Sequence, residues 1–405
     1  MSDGLDLDDA YGPTLDRIKA QGSHKSKLGV TALMWICHSE RPLKAQGLCE
    51  ALSVEIGSTD CNGNNTPSIR KVLSCCQGLV TVDEGGSTIL LVHYTLREYL
   101  TGHCNLFRNP HSTIADTCLT YLNSQQVMAL SDSRIQSTST QHSPFLEYSS
   151  LYWGVHMKKE LTDRGIRLAL KLFSRYKYHI SIRLLLEHTL PLYYLPFIVH
   201  ISKFTGLHCA SIFGLVAVTR ALTIMDGVDI NCIDDAGATP LLWAAVHGNE
   251  AAIKLLLGLE GINPDKPDVC GRTPISWAAW KGHEGVVKLL LGRKDVNPNR
   301  QCRDDRTPIS LAADMGHEAV VKLLLGRQDV NPNRPNRDGQ TPISWAAQNG
   351  HEVVVQLLLG RKDVNPDKPD CHGETPISWA AMNGHEAVVK LLQKREDVDL
   401  DNPDI

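Results

Sequence analysis

The sequence predicts a mostly α-helical protein. A solenoid of about six 34-residue repeats follows a small domain of three helices and a hairpin, with a helical connector between them. Three observations carry this. Stretches beginning at Thr273, Thr307, Thr341 and Thr375 are nearly the same, and looser copies begin at Thr239 and Thr205. Each copy reads as helix, tight turn, helix and polar loop. Before the array, helical patterns are interrupted by one pair of β-branched runs around glycines. Self-similarity at a fixed period of this size marks a repeat array.

Thr273 is a good helix N-cap, and Pro274 suits the first helical position, where its missing N–H costs nothing. The apolar run Ile275 to Trp280 closes at Gly282. A second run, Val286 to Leu291, closes at Gly292. Residues 297–306 are polar and contain Pro298, so they read as a loop. Ala278 and Ala279 let neighbouring helices approach closely. One unit is too small to bury its own apolar face, and roughly three or more must stack.

The runs TPISWAA and GHEGVVKLL resemble the ankyrin repeat over about 200 residues. Two departures recur. Ser276, Ser310, Ser344 and Ser378 stand where the family carries His, and the loop from Asn297 to Thr307 is about two residues longer than usual. The resemblance implies a docking role for the concave face and finger loops, with a protein as partner. The residues that vary between copies fall there: Val246 and His247, Trp280 and Lys281, Asp314 and Met315, Gln348 and Asn349, Met382 and Asn383. Arg272, Arg306, Gln340 and Glu374, each just before a repeat's Thr, vary too. Trp280, Met315 and Met382 are apolar where packing does not require it. Aromatic anchors dominate interfaces, and Met surfaces adapt. Drift on a solvated face and recent duplication stand as the competing readings.

Other recurring residues read as structural. His283, His317, His351 and His385 form a ladder, but stacked helices sit about 10 Å apart, too far to share one ion. They are expected to cap helices. Trp243, Trp277, Trp345 and Trp379 are expected to pack between repeats. Cys270, Cys302 and Cys371, with His372, lie in the loops without fixed pairing, so no zinc site is expected.

Residues 1–26 are polar and expected to be loosely ordered, apart from a patch at Tyr11, Leu15 and Ile18. Residues 27–105 form the first domain. A helix runs from Leu28, and a second occupies 43–56 after Pro42. A turn-rich loop covers 57–67, and a third helix runs from Ser68 to Cys76. Strands at 78–83 and 87–93 flank Glu84, Gly85 and Gly86, the pattern of a hairpin. A helix follows from Thr95 to Thr101. Three helices and then a hairpin is winged-helix order. ALMWICHSERPLKAQGLCEAL, SCCQGLVTVD and LVHYTLREYL resemble the winged-helix domain that follows the ATPase module in fungal NACHT proteins, a STAND-type group. That domain carries a name linking it to GPI inositol-deacylase. The matching residues are Arg41, Pro42, Leu43, Gly78, Leu79, His93, Thr95 and Tyr99. Residues 106–200 read as a helical connector with helices at 111–123, 144–161 and 166–176 and a Ser/Thr/Gln-rich linker at 131–144. The repeats occupy 201–405.

The 405 residues suffice for two or three domains. Forty-one basic residues against 45 acidic ones leave no basic excess, which speaks against nucleic acid and acidic lipid. The start MSDGLDLDD is no signal peptide. Leu190 to Ile201, with Pro191 and Pro196, is too short to span a bilayer. Twelve Cys without a CxxC pair read as free thiols in a reducing compartment, cytoplasmic or nuclear. No GxxxxGK[ST] phosphate loop and no GxSxG elbow occur, so neither nucleotide switching nor deacylase activity is carried over. No cofactor or metal is expected. His93 has no nucleophile set against it and reads as a hydrogen-bonded core histidine. Arg70 and Lys71 alone equip the third helix poorly for DNA. The chain begins about where the ATPase module of the resembled proteins ends. A non-enzymatic scaffold in NACHT-type signalling or non-self recognition is therefore expected. The alternatives are a regulatory subunit of a separate NACHT ATPase chain, a degenerate gene fragment, and a DNA-binding regulator.

Overall fold

The computed structural model describes residues 7–60, 65–83, 87–103, 105–132, 143–176, 179–189 and 202–400. They fall into two compact units, one up to Gly206 and one from Leu207.

The first unit opens with α1 (Leu7–Ala20) and α2 (Ser23–His38), then α3 (Ala45–Ser53) and α4 (Ile69–Cys75). Strands β1 (Val80–Val82) and β2 (Ile89–Leu91) precede α5 (Tyr94–Gly102). Helix α1 corrects the expectation of a loosely ordered start. Its charged residues face water, while Leu15 and Ile18 are buried. Tyr11 bonds to Thr95 Oγ1 at 2.7 Å, and Tyr99 donates to Asp8 Oδ1 at 2.6 Å. Helix α2 buries Trp35 and approaches α4 closely: a Cβ on Gly29 would stand 2.7 Å from the Cys75 carbonyl oxygen. The strands pair antiparallel, Val80 with Leu91 and Val82 with Ile89. Their expected turn at 84–86 lies outside the described residues.

Five further helices complete this unit: α6 (Pro110–Leu122), α7 (Gln125–Asp132), α8 (Pro144–Lys159), α9 (Asp163–Phe173) and α10 (Ile180–Thr189). Helices α6 and α8 pack together, and α8 also packs on α3. Phe145 and Tyr148 of α8 meet Trp35 edge-on at 5.7 and 5.9 Å, and Arg41 pairs with Glu147 at 2.9 Å. These helices therefore share a core with the winged-helix elements. Most of the Ser/Thr/Gln linker, 133–142, and the apolar run 190–201 lie outside the described residues. No described helix is long and apolar enough to cross a membrane.

The second unit is a row of helix pairs. Helices α11 (Gly206–Phe213) and α12 (Val216–Thr223) open it, then α13 (Pro240–Val246) and α14 (Glu250–Leu257). They are followed by α15 (Pro274–Lys281) with α16 (Glu284–Leu291), α17 (Pro308–Asp314) with α18 (Glu318–Leu325), and α19 (Pro342–Gln348) with α20 (Glu352–Leu359). Helices α21 (Pro376–Met382) and α22 (Glu386–Leu400) close the described row. First helices stack on first helices, and second on second. One apolar core runs unbroken from Leu241 to Leu392. It follows from the repeated Ile, Ala-Ala and Val-Val positions, which recur every 34 residues and meet their own copies.

Candidate functional site

Side-chain ladders hold the row together. Thr239, Thr273, Thr307, Thr341 and Thr375 each accept the N–H three residues on, closing the first turn behind a proline. Ser276, Ser310, Ser344 and Ser378 then bond to the Thr hydroxyl at 2.8 to 3.0 Å. His283, His317, His351 and His385 each donate from Nε2 to a carbonyl of the preceding repeat: Val246, Trp280, Asp314 and Gln348, at 3.0 to 3.1 Å. Each satisfies a carbonyl that a helix end would leave open. Asn249 does the same with two bonds to Ser211 and Ile212.

The tryptophans do something the sequence reading missed. Trp243, Trp277 and Trp379 donate their ring N–H to Asp234, Asp268 and Asp370, nine residues earlier, at 2.8, 2.9 and 2.9 Å. The other carboxylate oxygen takes two backbone N–H groups of the loop, as in Asp268 with Cys270 and Arg272. Each of these three ties its own finger loop to its helix, a role beyond the inter-repeat packing expected. Burial pushes the Asp234 carboxyl up to about 6 against the pull of Trp243 and the loop N–H groups. Where Leu311 replaces the Trp, Cys302 replaces the Asp.

The varying residues come together in pairs. Arg272 lies over the Trp280 ring at 5.4 Å, and Lys281 covers it at 4.6 Å. Trp280 is half-buried, edge-on to Trp277 at 5.4 Å. Arg306 pairs with Asp314 at 2.7 Å and covers Trp345 at 4.3 Å. Asn349 donates to Asp314 Oδ1 at 2.9 Å from the next repeat. Gln340 donates to Gln348 at 3.3 Å, and Asn383 to the Gln348 carbonyl at 2.9 Å. Glu374 is half-buried, while Met315 and Met382 stand 46% and 57% exposed. Val246 and Gln340 are buried, so neither side chain is offered to a partner. His247 is half-buried, its ring stacked on Trp243 at 6.0 Å. The surface grades from cationic and aromatic at Arg272, Trp280 and Lys281 to acidic at Glu374.

Models of ankyrin repeats match residues 207–302, 241–336 and 309–404. The C-terminal half is an ankyrin array. A model of the GPI inositol-deacylase winged helix domain matches residues 15–108. No curated protein matches the chain. Ankyrin repeats are a protein-interaction architecture, and the frame ladders explain why this array holds its shape while the paired positions vary. The 34-residue spacing also contained a signal for the pairs. Finger residue and helix residue lie eight apart in every copy, and in three copies they meet as complementary partners: Arg272 with Trp280, Arg306 with Asp314 and Gln340 with Gln348.

Elsewhere, the structure places the remaining candidates as follows. His93 is exposed, which corrects its expected place in the core. It caps α5, accepting the Thr95 N–H at 3.3 Å and bonding its hydroxyl at 2.7 Å. In α4, Arg70 and Lys71 are both exposed. Cys302 is buried and Cys371 exposed, and among the described residues no metal-ligating cluster forms in the finger loops.

Proposed function

We propose that the ankyrin array docks a protein partner across the face that runs from Arg272, Trp280 and Lys281, through Met315, to Glu374 and Met382. The observation that carries this is the pairing of variation. Frame residues repeat almost unchanged, while three finger–helix pairs eight residues apart change as complementary partners, and Met315 and Met382 stand exposed beside them. Drift acting on each position separately would not keep the pairs matched. The role needs no bond making or breaking, so we read the protein as a non-catalytic scaffold. The winged-helix domain supports a place in NACHT-type signalling or non-self recognition, with a separate ATPase chain as one partner. Free thiols throughout the described residues support a reducing compartment. The closely packed core of the first unit, with Trp35, Trp153 and Tyr148 fully buried, supports a maintained protein over a degenerate fragment.

The test is affinity capture with the full chain beside a variant carrying Trp280→Ala, Met315→Ala and Met382→Ala. Captured proteins would be identified, purified and titrated by calorimetry. The variant should keep its thermal melt and bind at least about tenfold more weakly, a loss of about 1.4 kcal/mol. Equal affinity for the two would sink the assignment of this face.

A further inference from the structure

Among the described residues, one group of three side chains brings metal-ligating atoms together. Glu40, His111 and His156 offer ligand atoms that all lie within 4.8 Å of one another. Three different elements supply them: the loop after α2, the first turn of α6, and α8. His111 Nδ1 and His156 Nδ1 face each other at 2.8 Å. Glu40 Oε1 lies 4.0 Å from His156 Nδ1.

Two of these groups, His156 and Glu40, are held from behind. Tyr148 Oη sits 2.7 Å from His156 Nε2 and accepts the Glu40 backbone N–H at 3.1 Å. The Tyr148 bond admits either tautomer of His156; the one in which Nε2–H donates to Tyr148 Oη turns the lone pair of Nδ1 toward His111 and Glu40, and a cation would select it. A hydrogen bond on the remote nitrogen is what fixes the tautomer of a metal-bound histidine. Lys159 holds Glu40 Oε1, the oxygen that faces His156, at 2.6 Å, which orients the carboxylate and makes the ammonium a competitor of the cation. Bonds of about 2.0–2.1 Å in a tetrahedron put ligand atoms roughly 3.3 Å apart. The observed 2.8 and 4.0 Å lie on either side of that spacing and all three ligand atoms fall within 4.8 Å of one another, so shifts of roughly an ångström, a side-chain adjustment, would complete it.

We propose that Glu40, His111 and His156 bind one divalent cation of the zinc class, with the fourth position left to water. Two imidazoles and a carboxylate suit zinc, and hard cations such as calcium would need more oxygen ligands. The ion would clamp the loop after α2 to α6 and α8, fixing the winged-helix elements on the helices that follow them. Lys159 opposes it electrostatically and lowers the affinity.

The test strips the full chain with chelator and titrates it with Co²⁺. One equivalent should bind with the intense visible band of tetrahedral cobalt and no thiolate charge-transfer band, and Zn²⁺ should displace it. His111→Gln and Glu40→Gln should each weaken binding at least tenfold while the metal-free circular dichroism spectrum stays unchanged. Lys159→Met should tighten binding and serves as the independent variant should either of the others fail to fold. Absence of the visible band, or a thiolate band marking cysteine ligands, overturns the proposal. So does binding that none of the three substitutions alters.

Discussion

Asn336 occupies the finger position that carries an aspartate beside Trp243, Trp277 and Trp379. Its amide oxygen still takes the N–H groups of Asp338 and Gln340, at 3.0 and 2.8 Å. The amide nitrogen is a donor, so the buried ring N–H of Trp345 has no acceptor among the described residues. A buried donor left without an acceptor costs about 1–3 kcal/mol. Asn336→Asp would give this donor an acceptor but would lose the Asn336 Nδ2 bond to Gln340 Oε1 at 3.3 Å and set a carboxylate against Asp338 Oδ2, now 3.5 Å away, so the net gain should stay under about 1 kcal/mol at neutral pH. Urea denaturation would measure it. An unchanged or lower midpoint would mean that desolvating the carboxylate outweighs the new bond. The signal for this site lay in the sequence as a fixed nine-residue spacing, but only ring orientation says which nitrogen meets which oxygen.

At the scale of the helix pair, the turn between helices decides how closely repeats stack. Gly282 has a φ of +75°, and a Cβ there would stand 2.7 Å from the His317 ring of the next repeat. Two costs coincide: a left-handed backbone that suits glycine, and a collision with the side chain that caps the preceding helix. Gly282→Ala should destabilise the array by at least about 1–2 kcal/mol. The loss should be smaller in a protein that also carries His317→Ala, because the collision is then relieved. A double-mutant cycle by chemical denaturation checks this, and strict additivity would refute the link. The helix–turn–helix reading and the six repeats followed from the sequence because caps, glycines and apolar runs act within a few residues. Helix α1 did so only in part: Leu15 and Ile18 stood out as an apolar patch, but the polar residues around them concealed the helix that carries them.

At the scale of the molecule, buried histidines push both units the same way in acid, while in the ankyrin unit Asp234, held up to about 6, pushes back. His208 and His179 are fully buried, and burial lowers each to about 4 despite hydrogen bonds to the Ala238 and Leu122 carbonyls. The unfolded imidazole titrates near 6.5, so the unfolded chain binds more protons between these values. Their contribution to stability is full above about pH 6.5 and falls by up to about 1.4 kcal/mol per pH unit for each as pH drops toward 4. Asp234 offsets part of this in the ankyrin unit, so the first unit should lose more stability between pH 7 and pH 5, and His208→Gln should shift the acid response of the ankyrin unit alone, toward stabilisation. Equal slopes with and without His208 would show that other groups govern acid unfolding.

What the sequence determined by itself was whatever repeats or acts locally. The 34-residue period, the Thr-Pro helix starts, the glycine turns and the apolar core positions follow from short-range chemistry that each copy restates. The tertiary structure alone decided what depends on residues distant in sequence. It buried Val246 and Gln340, paired Arg272 with Trp280 and Arg306 with Asp314, moved His93 to a helix cap on the surface, and gathered Glu40, His111 and His156 from three elements. Such meetings depend on how helices dock, and docking is set by the sum of many contacts that no single stretch of chain encodes.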